Sequence, residues 1–111
     1  ISIAGIGNAA RAEELFLQGN VAIKPHLLLE PGQYVAGEIG SHIFDINGNP
    51  IRMNIQNHII AVELEDYRKI PTRIGVAGSE EKLSAIRGAM LGQYINVLIT
   101  DTRAAKLLCE E

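Results

Sequence analysis

The chain has 111 residues, 47% of them apolar, with 10 Lys and Arg against 13 Asp and Glu for a net charge of −3. That length holds one domain or part of one, and an acidic balance with no basic run argues against direct nucleic-acid binding by this piece. A single cysteine, Cys109, excludes an internal disulfide framework, and no apolar run approaches the ~20 residues of a membrane span.

Ile1-Ser-Ile-Ala4 opens directly in a strand, with no cap or turn before it. Such an opening, without an initiator methionine, reads as a truncated chain. No secretory leader is visible, so the cytoplasm is the default compartment. Gly5-Ile-Gly7 follows, where a backbone can turn sharply or approach a ligand closely. A short helix is expected from Arg11 to Leu17, ended by Gly19-Asn20. Asn8 either caps that helix or offers its amide to a sugar hydroxyl. Gly5-x-Gly7-x-x-Ala10 also meets the loose dinucleotide fingerprint. The helix is too short for that motif, and Glu30, the acidic residue near the required spacing, precedes Pro31-Gly32 in a turn. No nicotinamide or other cofactor is expected.

His26-Leu-Leu-Leu-Glu30 reads as a helical turn stopped by Pro31-Gly32, and residues 37–44 as one extended stretch. Asn47-Gly48 is a hairpin signal, with Pro50-Ile-Arg-Met53 as the return strand. Glu38, between Gly37 and Gly40, can accept paired hydrogen bonds from a polyol or stand as a solvated strand residue. Glu63 to Lys69 forms a short charged helix, with Glu65 and Lys69 spaced for an i,i+4 pair, and Ile70-Pro71 stops it. His26, His42 and His58 are too widely spaced for a metal motif. With no nucleophile elbow, P-loop or Cys–His pairing, no catalytic residue is assigned.

The stretch from Thr72 to Leu108 organises the rest as a βαβα unit with a parallel strand pair. Ile74 to Ala77 reads as a strand buried on both faces. Gly78-Ser79 then opens a helix with Ser79 as N-cap and Leu83, Ile86 and Met90 as its inner stripe. Asn96 to Thr100 is the second strand, and Asp101 starts the last helix, with Ala104, Ala105 and Leu108 inward. Ligands bind outside the carboxyl ends of such strands, where Gly78, Ser79 and Lys82 lie. A lysine in a first helical turn costs roughly 0.3–1 kcal/mol unless an anion lies between it and the amides. The alternative is a solvated Lys82 offset by Glu80 and Glu81.

These residues carry a family resemblance. Ile70-Pro71, Ile74-Gly-Val-Ala-Gly78, Lys82, Ala85-Ile86-Arg-Gly-Ala89 and Ile95-Asn-Val-Leu-Ile-Thr-Asp101 resemble the C-terminal effector-binding domain of SorC-type, DeoR-like bacterial transcription regulators. Val35-Ala-Gly-Glu38-Ile-Gly40, Phe44-Asp-Ile-Asn-Gly48 and Gly5-Ile-Gly7 extend the similarity over nearly the whole chain. The resemblance implies an α/β domain, a three-layer parallel sheet of the NagB/RpiA/CoA-transferase-like (phosphosugar isomerase) type with a β-hairpin excursion. Residues 1–111 would be the C-terminal part of that domain. It would bind a sugar or sugar phosphate without converting it, while a separate N-terminal helix-turn-helix domain bound operator DNA in a homo-oligomer. By position, Lys82 matches the lysine that contacts the effector phosphate, and Glu38 the acidic residue that contacts sugar hydroxyls. Gly5 and Gly7 line the cleft beside Asn8, and Gly78 and Ser79 form the second loop. Leu15 stands where some relatives carry a basic residue for a second phosphate, which speaks against a bisphosphate. A sugar-phosphate isomerase or deaminase on the same fold is the alternative. It would need Glu38 as general base, with no partner acid in evidence.

Overall fold

A computed structural model of the chain describes residues 1–12, 27–53 and 62–110. Leu15, His26, His58 and the expected helix end at Gly19-Asn20 lie outside them. In chain order the elements are β1 (Ser2–Gly5), β2 (Gly7–Asn8), β3 (Leu27–Leu28), β4 (Gly37–Ile39), β5 (His42–Phe44), β6 (Pro50–Met53), α1 (Leu64–Arg68), β7 (Arg73–Val76), a 3-10 turn (Glu80–Lys82) that runs into α2 (Leu83–Leu91), β8 (Val97–Ile99) and α3 (Thr102–Cys109). Residues 9–12 are helical and follow β2 directly.

Two sheets share the core. The parallel sheet has the order β1-β7-β8, with Ile3 beside Ile74 and Ile74 beside Val97. The expected β7–β8 pair is therefore present, and the opening strand joins it on the other side. Its inner row, Ala4, Gly75 and Leu98, turns toward Ile6 and Ile95. The opposite face is open: Ile3 is 69% exposed and Ile99 54%. The expectation of a β7 strand covered on both faces is thus corrected, since Val76 belongs to this open row.

The antiparallel sheet has the order β2-β4-β5-β6-β3. Residues 37–44 are not one strand but two, folded back at Gly40 and Ser41, whose φ angles are 53° and 67°. Two consecutive left-handed residues match the strand twist, the condition for a two-residue hairpin loop. Asn47-Gly48 also sits in a hairpin, but in the five-residue loop between Phe44 and Pro50. Asp45 builds that loop: its carboxylate accepts from the Asn47 amide at 3.0 Å, the Asn49 amide at 2.9 Å and Gln33 Nε2 at 3.0 Å. The helical turn expected at residues 26–30 is corrected as well. Leu27 and Leu28 form β3, paired with Met53 and Arg52, because a strand edge was available to satisfy their backbone groups.

Helix α2 packs on β4 and β2. Its buried face is Ala85, Ile86, Gly88 and Ala89, whereas Met90, expected inside, is 47% exposed. Small residues decide this, since they let the sheet approach close enough for Phe44 to rest on Gly88. Phe44 also meets the fully buried Tyr94 ring at 4.9 Å between centroids. The Arg68 guanidinium lies 5.1 Å from the centre of the Tyr94 ring and donates to Gly92 O at 2.9 Å, which ties α1 to the end of α2. Lys69 reaches Asp66 Oδ1 at 3.9 Å, one turn position short of the expected Glu65.

Candidate functional site

The site is organised by Glu38. In the register of β2 on β4, Glu38 lies opposite Gly7. Its carboxylate is nearly buried, and Glu38 Oε1 occupies the space that a β-carbon at position 7 would need. Arg11 Cγ lies 2.8 Å from that same point, so Gly7 is the gap between an acid and a base. Asn8 Oδ1 accepts the Arg11 amide at 3.0 Å, which caps the first turn of the helix and fixes where Arg11 starts. Capping is thus what the Asn8 side-chain oxygen does here.

Lys82 is the second cation that acts on Glu38. The 3-10 turn that it ends packs on β2, and the half-buried Lys82 falls within electrostatic reach of Glu38. Burial pushes the Glu38 carboxyl above its ordinary value, opposed by Arg11, then Lys82, then a hydrogen bond from the Ser41 amide. Such a carboxyl keeps its proton longer in the folded chain. Its contribution is fullest below 4.5 and is lost as pH rises through the raised value. The melting midpoint of Glu38→Gln, relative to the parent, is expected to climb as pH rises from below 4.5 through the raised value. A pH-independent difference would show that Glu38 is as well solvated folded as unfolded.

The loop before Lys82 is held differently from the expectation. Ser79 does not cap a helix through its side chain; it has φ 80°, and its amide donates to Asp101 Oδ2 at 2.7 Å. The other oxygen of Asp101 accepts the Ala104 amide at 2.7 Å and caps α3. Hydrogen bonds from Ala104 and Ser79 hold the Asp101 carboxyl below its ordinary value. One carboxylate therefore pins the carboxyl ends of both β7 and β8, and it takes the Ser79 amide that an anion was expected to use. Gly78 is small because Asp101 Oδ2 would lie 2.7 Å from any β-carbon there. Glu80 is paired with Arg103, so it does not offset Lys82. Gly5 ends β1 beside Val76, exposed and uncrowded.

The structure thus brings Gly7, Glu38 and Lys82 together and keeps Asn8 beside them as a cap, while Gly5 ends β1 and Gly78 and Ser79 lie in the loop after β7. Arg11 escaped the reading of the sequence; the signal was a base four residues after the glycine of a strand-to-helix turn. Among the described residues, no three His, Cys, Asp or Glu side chains form a group that could hold a metal, and no helix is long and apolar enough to cross a membrane.

The family model described as "Putative sugar-binding domain" matches residues 1–110. The chain belongs to that family. Among its sugar-binding-domain relatives, the sorbitol operon regulator of Klebsiella pneumoniae is 41% identical over 76 residues, 68% of this chain and 24% of the relative. The deoxyribonucleoside regulator of Bacillus subtilis (strain 168) is 35% identical over all 111 residues, 35% of the relative. The crystal structure of the full-length sorbitol operon regulator SorC from Klebsiella pneumoniae superposes with a TM-score of 0.75 at 32% identity, covering 96% of this chain and 34% of that one. The architecture is thus that of the SorC and DeoR sugar-binding domains, an α/β fold with a parallel sheet, helices and an antiparallel hairpin sheet. The chain spans about a third or less of the length of these relatives.

Proposed function

We propose that this chain is the effector-sensing part of a bacterial transcription regulator, taking a sugar or sugar phosphate in the cleft between Gly7, Glu38 and Lys82. The observation that carries the reading is Glu38 itself. In a family of sugar-binding domains, a nearly buried carboxylate within electrostatic reach of two cations supplies what a polyol needs. Such a carboxylate has acceptor positions for two hydroxyls, and charge-assisted hydrogen bonds of this kind contribute about 1.5–3 kcal/mol each.

The longer polypeptide would supply an N-terminal helix-turn-helix domain for operator DNA and the layer that covers Ile3, Val97 and Ile99. Parallel sheets are ordinarily covered on both faces, which supports the second part. A cytoplasmic homo-oligomer fits this role. Coupling to DNA would require the sugar to prefer one quaternary state, typically by about 1–3 kcal/mol.

The test is to titrate the full-length protein with sugars and sugar phosphates while following operator binding and looking for product. Saturable binding that shifts operator affinity, without turnover, is the expected result. Turnover would move the reading to an isomerase or deaminase with Glu38 as base. Glu38→Ala is expected to weaken hydroxyl-bearing sugars more than inorganic phosphate in calorimetry. Equal losses would reduce Glu38 to a structural role.

A further inference from the structure

Ser79 holds a backbone conformation that glycine, not serine, ordinarily supplies. Its φ is 80° and its ψ 155°, a region where a β-carbon brings strain. The glycine of this Gly-Ser pair stands one residue earlier, at 78, where it leaves room for the Asp101 carboxylate. The strain is held by Asp101, whose Oδ2 accepts the Ser79 amide at 2.7 Å while Oδ1 accepts the Ala104 amide in the first turn of α3. A second tie lies beside it, from Glu80 to Arg103. Thr100, the residue before Asp101, has a buried hydroxyl with no hydrogen-bond partner among the described residues. A positive-φ serine and an orphaned hydroxyl, both adjoining one carboxylate, mark a joint that is held rather than relaxed. Lys82 depends on that joint, because the turn it ends starts from the Ser79 carbonyl, which accepts the Lys82 amide at 3.3 Å.

We infer that Asp101 is a positioning residue, which straps the Gly78–Ser79 loop into a strained arrangement and so fixes Lys82 relative to the start of α3. What the strap serves rests on the sensing function proposed above, whereas the strap itself is a property of the chain without ligand. Two arrangements of the loop follow. With the strap closed, Ser79 keeps its positive φ and the turn to Lys82 is in place. With it open, Ser79 relaxes to a negative φ, its amide leaves Asp101, and the turn before Lys82 is no longer held. Asp101 and Ser79 are both exposed, so opening uncovers little apolar surface. A ligand that favours the closed arrangement tightens the loop onto α3, and one that favours the open arrangement releases it.

The experiment is hydrogen exchange followed by mass spectrometry on the full-length protein without ligand. Asp101→Asn is the discriminating variant, since its carbonyl oxygen can still cap α3 whereas its amide nitrogen cannot accept from Ser79. Exchange over residues 78–82 should quicken at least about tenfold, the loss of one hydrogen bond, while residues 102–109 stay within about threefold of the parent. Acetylation of Lys82, measured against the exposed Lys69 in the same molecule, should rise with it. Adding Ser79→Gly should return both readouts toward the parent, because glycine holds this backbone without a strap. Ser79→Gly alone should raise the melting midpoint, a check that does not need the Asp101 variant to fold. Unchanged exchange in Asp101→Asn would overturn the strap, and equal quickening in α3 would reduce Asp101 to a helix cap. A Lys82 acetylated as in the parent would overturn its dependence on the strap. Failure of Ser79→Gly to rescue, or no gain in its midpoint, would overturn the strain. Sugar sensing would stand in each of these cases, since titration with sugars tests it separately.

Discussion

Lys82→Ala is expected to weaken a phosphorylated ligand by about tenfold or more while the full-length protein stays folded, its melting midpoint falling only modestly. Two features of its position lead to this. Lys82 ends a 3-10 turn rather than lying inside a packed helix face, so alanine removes few contacts and no cap, as its side chain makes no capping hydrogen bond. Its ammonium also counters the burial that raises the Glu38 carboxyl, so the variant should carry a Glu38 that ionises at still higher pH. Binding in the variant should therefore fall more steeply as pH rises than in the parent, because the carboxylate and the phosphate then oppose one another without the lysine's charge to offset them. An unchanged affinity would remove Lys82 from the ligand's surroundings. A large fall in melting midpoint would instead make it a structural residue.

The largest loss of stability is expected at Gly48. It has φ 86°, and a β-carbon there would meet the backbone of Gly92 and lie 2.7 Å from Gly88 O. Left-handed backbone costs an alanine roughly 1–2 kcal/mol, and forcing atoms into a filled contact adds about 1–3 kcal/mol. Neither obstacle is a flexible side chain, so relief requires the hairpin loop to lift off α2. Gly40 is the control: its φ is 53°, yet nothing lies within 4 Å of a β-carbon there. Gly40→Ala should therefore cost only the conformational part, about 1–2 kcal/mol. Thermal melts of the two variants should separate clearly. If they fall by the same amount, the loop does not bear on the helix as described.

Local chemistry was legible where it acts over a few residues. The apolar runs at Ile74-Gly-Val76 and Val97-Leu-Ile99 became parallel strands, and Asp101 became the cap of the last helix. Glu38 stood out because a carboxylate between glycines in an apolar strand entry needs a reason. Met90 was misplaced because helical periodicity identifies a stripe without revealing how closely a partner can approach it. Alanines and glycines at 85, 88 and 89 moved the contact to their own side of α2.

By itself, the order of residues determined the α/β class, the βαβα tail and the candidates Lys82, Glu38 and Gly7, because caps, turns and periodicity depend on near neighbours. Only the tertiary structure decided that Gly40 and Ser41 reverse the chain, that Asp101 takes the Ser79 amide, and that Arg11 stands beside Glu38. Each of these depends on strand register or on the docking of one element against another, which brings together groups as far apart as positions 11 and 38 or 79 and 101. Electrostatic and steric forces act over ångströms in space, whatever the separation along the chain, and that is why the charge balance of the cleft emerged only once the sheet was assembled.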